Sequence, residues 1–189
     1  MACAVTCIVG LVDEQSRVWI GADSATSWDN DEARVQITRN PKVFRAGCLL
    51  IGSSGSGRVQ VLLRTFVPPK RPKGSSAFDY IATTVAEGIR KMLSDAGAVA
   101  LPNDSKPMTM PYNSTILIGY KGGLYRMDDD FSVDEAADEI DVAGSGGSWA
   151  LPVLSLTRGK PPKERILAAL KASARQCWSV RAPYRVDFI

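Results

Sequence analysis

The 189-residue sequence contains no histidine. That absence removes the general base on which most serine and cysteine hydrolases depend, and with it the commonest zinc ligand. Acyl-transfer chemistry then needs another base: a lysine, or the free α-amino group of an N-terminal Thr, Ser or Cys acting on its own side chain. An α-amine, with a reference pKa near ~7.7–8.0, is partly neutral at physiological pH, where an ordinary lysine is not. The four cysteines (Cys3, Cys7, Cys48, Cys177) form no CxxC pair, which argues against a zinc site or a disulfide scaffold. Cys48 and Cys177 stand among apolar neighbours and read as packed core thiols. No apolar run reaches the ~20 residues of a membrane span, and the N-terminus lacks the charged start and long apolar region of a signal peptide. The expectation is a soluble, cytoplasmic protein that needs no membrane. A net charge of +3, spread along the chain, gives no footprint for nucleic acid. No motif calls for a metal or a cofactor.

With 45% hydrophobic and 23% charged residues, the chain fits one globular domain with a substantial core. Apolar runs predict strands at Thr6–Val12 and Arg17–Ala22, joined by the polar turn Asp13–Ser16. Asp23–Asn40 reads as polar and irregular. Lys42–Arg45 and Cys48–Ile51 predict a second hairpin, and Gly52–Gly57 a glycine-serine loop leading into a helix over Arg58–Phe66. The basic stretch Pro68–Ser76 reads as a solvated connector. Helical spacing of Ile81, Val85, Ile89, Met92 and Leu93 predicts a long amphipathic helix over Phe78–Ala96, followed by a loop from Gly97 to Pro111. A third hairpin falls at Ser114–Gly119 and Gly123–Met127. The acidic run Asp128–Asp141 reads as an exposed meander into a strand at Ile140–Ala143. Helices from Trp149 and over Lys163–Trp178 then precede a last strand, Tyr184–Ile189. Most adjacent strands are linked as hairpins and the long crossovers of a parallel sheet are missing. The expected class is therefore α+β, stacked antiparallel sheets with helices outside them.

Six blocks in order, "TCIVGLV…VWIGADSATS", "KVFRAG", "LLIGSSGSGR", "ILIGYKGGLYRMD", "DVAGSGGSWAL" and "YRVDFI", span almost the whole chain. In that order they resemble proteasome β-type subunits and the bacterial peptidase HslV. The resemblance implies the four-layer αββα sandwich of the N-terminal-nucleophile hydrolases. It also implies a threonine endopeptidase working inside stacked homo-oligomeric rings on unfolded polypeptide, in some relatives fed by an ATP-driven unfoldase. Under it, Thr6 matches the nucleophile, Asp23 and Lys42 match a carboxylate–lysine pair, and Ser145 matches a serine near the threonine amine. Backbone N–H groups at Ser54 and Gly55 match the oxyanion hole. Residues 1–5 match a short propeptide whose removal frees the Thr6 amine, leaving 6–189 as a single proteasome β-like domain.

Each residue also has an ordinary reading. Thr6 fits a plain strand position, Asp23 a turn, Lys42 a surface lysine and Ser145 a helix cap. Cys7, beside Thr6, is an alternative nucleophile if cleavage falls one residue later. Two departures from the family's pattern stand out: Val5 precedes Thr6 where self-processing relatives carry glycine, and Arg175 falls where a supporting aspartate is expected, reversing a charge near the proposed site. They leave room for a second reading, a ring-forming homologue without proteolysis. Trp28 and Phe66, large apolar residues in segments that read as surface, are compatible with an assembly face. A third reading takes Gly52 and Gly57, five residues apart between a strand and a helix, as a phosphate-binding loop. It fails on chemistry, because Arg58-Val59 occupies the place of the required Lys and Ser/Thr.

Overall fold

In the computed structural model, which describes residues 6–28, 34–100 and 108–189, the first strand, β1 (Ile8–Val12), is buried along both faces. Successive side chains of a strand point to opposite sides. Ile8 and Val12 therefore enter one apolar cluster, while Val9 and Leu11 enter another. Such a strand has to be an inner one covered on both faces, and it pairs antiparallel with β2 (Val18–Ala22) and β10 (Ile140–Ala143). The C-terminal strand β11 (Arg185–Phe188) closes the four-stranded sheet β10-β1-β2-β11.

The second sheet has five antiparallel strands: β5 (Val43–Ala46), β6 (Leu49–Ser53), β7 (Ile116–Tyr120), β8 (Gly123–Met127) and β9 (Val133–Glu135). Between the two sheets lie Ile8, Val18, Ile20, Val43, Leu50, Leu117 and Leu124. Each side chain of this size contributes about 1.5–3 kcal/mol on full burial. Gly52 lets the sheets approach, since a Cβ there would stand 2.7 Å from Ile8 Cγ2 and 2.8 Å from Ile20 Cγ2.

Helices cover both outer faces. α4 (Gly147–Leu156) and α5 (Pro162–Gln176) bury Ala150, Leu154, Ile166, Ala169 and Leu170 against the four-stranded sheet. α1 (Gly57–Leu63) and α3 (Ala86–Asp95) bury Val59, Leu63, Ile89 and Leu93 against the five-stranded one. The layers run αββα, as the sequence predicts. Among the described residues no helix is long and apolar enough to cross a membrane.

Several expectations are corrected. Asp23–Asn40 is not irregular throughout: β3 (Ala25–Trp28) and β4 (Arg34–Ile37) pair as a separate hairpin. Part of the acidic meander is β9, an edge strand whose exposed side chains carry no apolar alternation to reveal it. The long helix begins at α2 (Ala77–Asp79), where Ser76 and Asp79 form a reciprocal capping box, and passes through a π-helical turn at Tyr80–Val85 before α3. Phe66 is buried in the outer core, so it supplies no assembly face, and Cys48 is exposed at the β5–β6 turn. Residues 1–5, residues 101–107 of the expected loop after Gly97 and the Trp28 side chain lie outside the described residues.

Candidate active site

Thr6 precedes β1 by two residues and shares the parity of Ile8, so it heads the face of β1 that looks into the space between the sheets. Asp23 follows the last residue of β2, and Lys42 precedes the first residue of β5. Three strand ends thus meet at one edge of the sandwich and bring together residues 6, 23 and 42. Lys42 Nζ donates to Thr6 Oγ1 at 2.9 Å and to Asp23 Oδ1 at 2.8 Å. All three residues are buried: Thr6 is 6% exposed, Lys42 4% and Asp23 2%.

A buried ion pair is stable only when the remaining valences of its members are filled. Asp23 meets that condition. Its Oδ1 also accepts from the Cys7 N–H at 3.1 Å, and its Oδ2 accepts from the N–H of Ala25 at 2.9 Å and of Arg181 at 3.5 Å. Burial pulls the pKa of Lys42 below its ordinary value, while Asp23 resists by its charge and its hydrogen bond. A lysine so placed holds a proton against the Thr6 hydroxyl more loosely than a solvated one, and can steady an alkoxide there.

The loop after β6 supplies one free donor rather than two. Ser54 commits both its N–H and its Oγ to Thr115 O, at 2.9 and 3.1 Å, so the expectation of a Ser54 oxyanion donor is corrected. The Gly55 N–H has no acceptor among the described residues. Gly55 has φ +91°, and a Cβ would lie 2.4 Å from Ser114 Oγ and 2.5 Å from Ser114 Cα, so only glycine fits. Ser114 fixes this loop by accepting the Ser56 N–H at 3.0 Å; nothing local in the sequence singled it out.

Behind Thr6, the β10–α4 turn makes contact through backbone. The Gly146 N–H donates to Thr6 O at 3.1 Å, and Gly144, at φ +81°, would put a Cβ 2.3 Å from the same oxygen. Ser145 lies half-buried between them. Its Oγ stands 3.9 Å from Cys177 Sγ, which is 3.4 Å from Ser179 Oγ; no hydrogen bond joins Ser145 to Thr6 among the described residues. Ser173 Oγ ties the turn to α5 by donating to Gly146 O at 2.9 Å. Ser173 and Ser179, in and just beyond α5, carried no signal in the sequence, and Cys177, expected as a packed core thiol, is half-buried at the end of that helix.

Two expectations fail here. Cys7, of opposite parity to Thr6, points into the α4–α5 layer, where burial pushes its thiol up to about 12. A thiol so buried and so rarely ionised is a core residue, and the reading of Cys7 as a nucleophile is withdrawn. Arg175 is exposed on the last turn of α5 and makes no hydrogen bond or ion pair with residues 6, 23 or 42, so it reverses no charge in the cluster. The phosphate-loop reading also loses its geometry, because Gly52 is a strand residue paired with Val43 and Leu117.

No family model and no curated protein matches the chain. Solved structures do. The bacterial proteasome homologue BPH of Thiobacillus denitrificans, in a complex with epoxomicin, superposes with a TM-score of 0.75 at 17% identity, over 96% of this chain and 97% of that one. HslV from Trypanosoma brucei gives 0.65 at 14% identity, over 97% and 98%. A Gly-1 mutant of Anbu from Hyphomicrobium sp. strain MC1 gives 0.66 at 16%, over 96% and 80%. The chain has the fold of the proteasome-like N-terminal-nucleophile hydrolases. At these identities the likeness is one of fold, and within that fold the buried Thr6–Lys42–Asp23 cluster occupies the edge where β1 and β5 begin and β2 ends.

Proposed function

We propose that the chain is a threonine peptidase that uses Thr6 as an N-terminal nucleophile once residues 1–5 are removed. The observation that carries this reading is the single Lys42 ammonium held between the Thr6 hydroxyl and a fully hydrogen-bonded Asp23. In the mechanism, the freed α-amine of Thr6 takes the proton from its own hydroxyl, and Oγ1 attacks a peptide carbonyl. The Gly55 N–H holds the developing oxyanion, with Lys42 steadying charge at Oγ1. Collapse expels the amine half of the substrate with the transferred proton and leaves an ester on Thr6. Water, activated by the same amine, then hydrolyses that ester. Asp23 and the backbone behind Gly144–Gly146 act by position, and Ser145 takes the role the resemblance gives a serine near the threonine amine.

The proposal includes the assembly the resemblance implies: a cytoplasmic homo-oligomeric ring acting on unfolded polypeptide, with an ATP-driven unfoldase as a candidate partner. Two apolar residues one above the other on α4 support association, since Trp149 and Leu156, seven positions apart on the helix, are 51% and 86% exposed.

The test is the intact mass and N-terminal sequence of the purified protein, followed by peptide hydrolysis. A chain that starts at Thr6, hydrolyses peptides and gains mass on incubation with epoxomicin is the expected result. A Thr6→Ala variant that hydrolyses as fast as the parent would overturn it. A chain that keeps Val5, assembles into rings and hydrolyses nothing would favour the ring-forming homologue without proteolysis.

A further inference from the structure

The C-terminal end of α5 and the turn after it hold the proposed site from two sides. On one side Ser173 Oγ donates to Gly146 O at 2.9 Å, and the N–H of that same glycine donates to Thr6 O. On the other, the Arg181 N–H donates to Asp23 Oδ2 at 3.5 Å, and Arg181 O accepts the Ser24 N–H at 3.1 Å. Between these anchors in the chain lies Cys177. Its backbone is pinned in both directions, since its N–H donates to Ser173 O at 2.8 Å and its carbonyl accepts the Val180 N–H at 3.1 Å. A fixed backbone therefore delivers the thiol to two hydroxyls, Ser145 Oγ at 3.9 Å and Ser179 Oγ at 3.4 Å.

Among the described residues, the Cys177 thiol is the one hydrogen-bond partner of each hydroxyl. Ser179 is fully buried, and a buried hydroxyl without a partner is costly. A thiol carries one hydrogen and accepts weakly, so it serves two hydroxyls in series, as donor to one and acceptor from the other. In either direction the sulfur fixes the rotation of the Ser145 hydroxyl and leaves it capacity for a second partner. An apolar side chain at position 177 would free both hydroxyls at once. Cys7 cannot take over, because its thiol is turned into the α4–α5 layer and bonded there to Ser173.

We propose that Cys177 is a positioning residue of this site, its thiol orienting the Ser145 hydroxyl for the Thr6 amine. The inference rests on the threonine-peptidase reading, under which Ser145 serves that amine once residues 1–5 are gone. It gives a thiol a part in a reaction whose nucleophile is a hydroxyl. The part is indirect: Cys177 acts through Ser145, so its removal slows turnover and leaves substrate affinity alone.

The experiment compares Cys177→Ser with Cys177→Ala in peptide hydrolysis by the processed full chain. The two side chains leave nearly the same gap, and only serine keeps a donor and an acceptor. Cys177→Ala should lower kcat about three- to tenfold, the worth of one net hydrogen bond, with KM unchanged. Cys177→Ser should restore most of that loss. Ser145→Ala should lower kcat as well, and adding Cys177→Ala to it should cost nothing further, because the thiol then has no hydroxyl left to orient. If the alanine variant does not fold, Cys177→Val, which fills the space without a polar atom, takes its place. Equal kcat for the serine and alanine variants, a change in KM alone, or losses that add in the double variant would each overturn the proposal and leave the peptidase reading standing. A parent that begins at Thr6 and hydrolyses nothing would overturn the peptidase reading, and the role of Cys177 with it.

Discussion

Lys42 reaches Thr6 Oγ1 at 2.9 Å and Asp23 Oδ1 at 2.8 Å, so one ammonium couples a hydroxyl on one strand to a carboxylate on another. The coupling joins stability to chemistry, because Lys42 leaves the sheet that Thr6 and Asp23 do not belong to. Removing it strips a buried carboxylate of its counter-charge. Lys42→Met should therefore lose peptidase activity and about 3–5 kcal/mol of stability. Adding Asp23→Asn to that variant should restore part of the stability and none of the activity. Denaturant unfolding and peptide hydrolysis measured side by side decide it, and a Lys42→Met protein hydrolysing at the parental rate would remove Lys42 from the mechanism.

Two glycines only two positions apart should respond in opposite ways. Gly55→Ala forces a Cβ into the Ser114 backbone at φ +91°, so the loop must move, with a loss of roughly 2–4 kcal/mol and of the free N–H at the site. Gly57, first residue of α1, has open space around its Cβ position. Gly57→Ala should leave activity intact and leave stability unchanged or higher by up to ~1 kcal/mol. Equal behaviour of the two variants would show that the Gly55 loop is not held as described.

The architecture was legible in the sequence wherever strands are buried on one or both faces. The apolar runs that became β1, β2, β6, β7, β8 and β10 stand out because burial demands continuous or alternating hydrophobicity. β3, β4 and β9 escaped because they carry polar residues and lie outside the inter-sheet core. At the site, Thr6, Asp23 and Lys42 were named through a resemblance of ordered blocks. Their convergence is a tertiary fact that spacings of 17 and 19 residues do not encode. The exclusion of Cys7 turned on strand parity, readable in principle from Ile8 and Val9, once it is known which side of the sheet faces the helices. The commitment of the Ser54 N–H to Thr115 needed the register of β6 against β7.

Acid stability should depend on Asp13. Desolvation pushes this carboxyl up, but the N–H groups of Arg17 and Gln15, the Trp19 indole and the Arg17 guanidinium outweigh it and hold the pKa at about 2, below the usual 3.8. A depressed carboxyl contributes stability above its unfolded pKa and loses it as pH falls through the folded one. The contribution is about 2 kcal/mol above pH 4, vanishing near pH 2, at ~1.4 kcal/mol per pKa unit. Asp13→Asn should therefore unfold more easily than the parent at pH 6, with the difference closing toward pH 2. A difference independent of pH would mean that the side chain acts through shape and not through charge.

At the alkaline end the sign reverses, and Cys7 governs the first part of the range. Its thiol is raised from 9.0 to about 12 by burial against α5. In the unfolded chain it ionises above pH 9; in the folded chain it stays protonated, so stability present below pH 9 is lost as pH climbs toward 12. Lys42, lowered by burial, works the other way, adding stability as pH rises toward 10.5, so the bare pH profile of the parent mixes the two. The difference between the parent and Cys7→Ala isolates the thiol. Between pH 9 and 10, before Tyr80 and Tyr125 ionise in the unfolded chain, the parent should lose up to ~1.4 kcal/mol per pH unit relative to the variant. At pH 7 Cys7→Ala should be the less stable of the two, by the small cavity it leaves. The two stability curves should therefore converge as pH rises from 9, and curves that stay parallel would place Cys7 in contact with solvent.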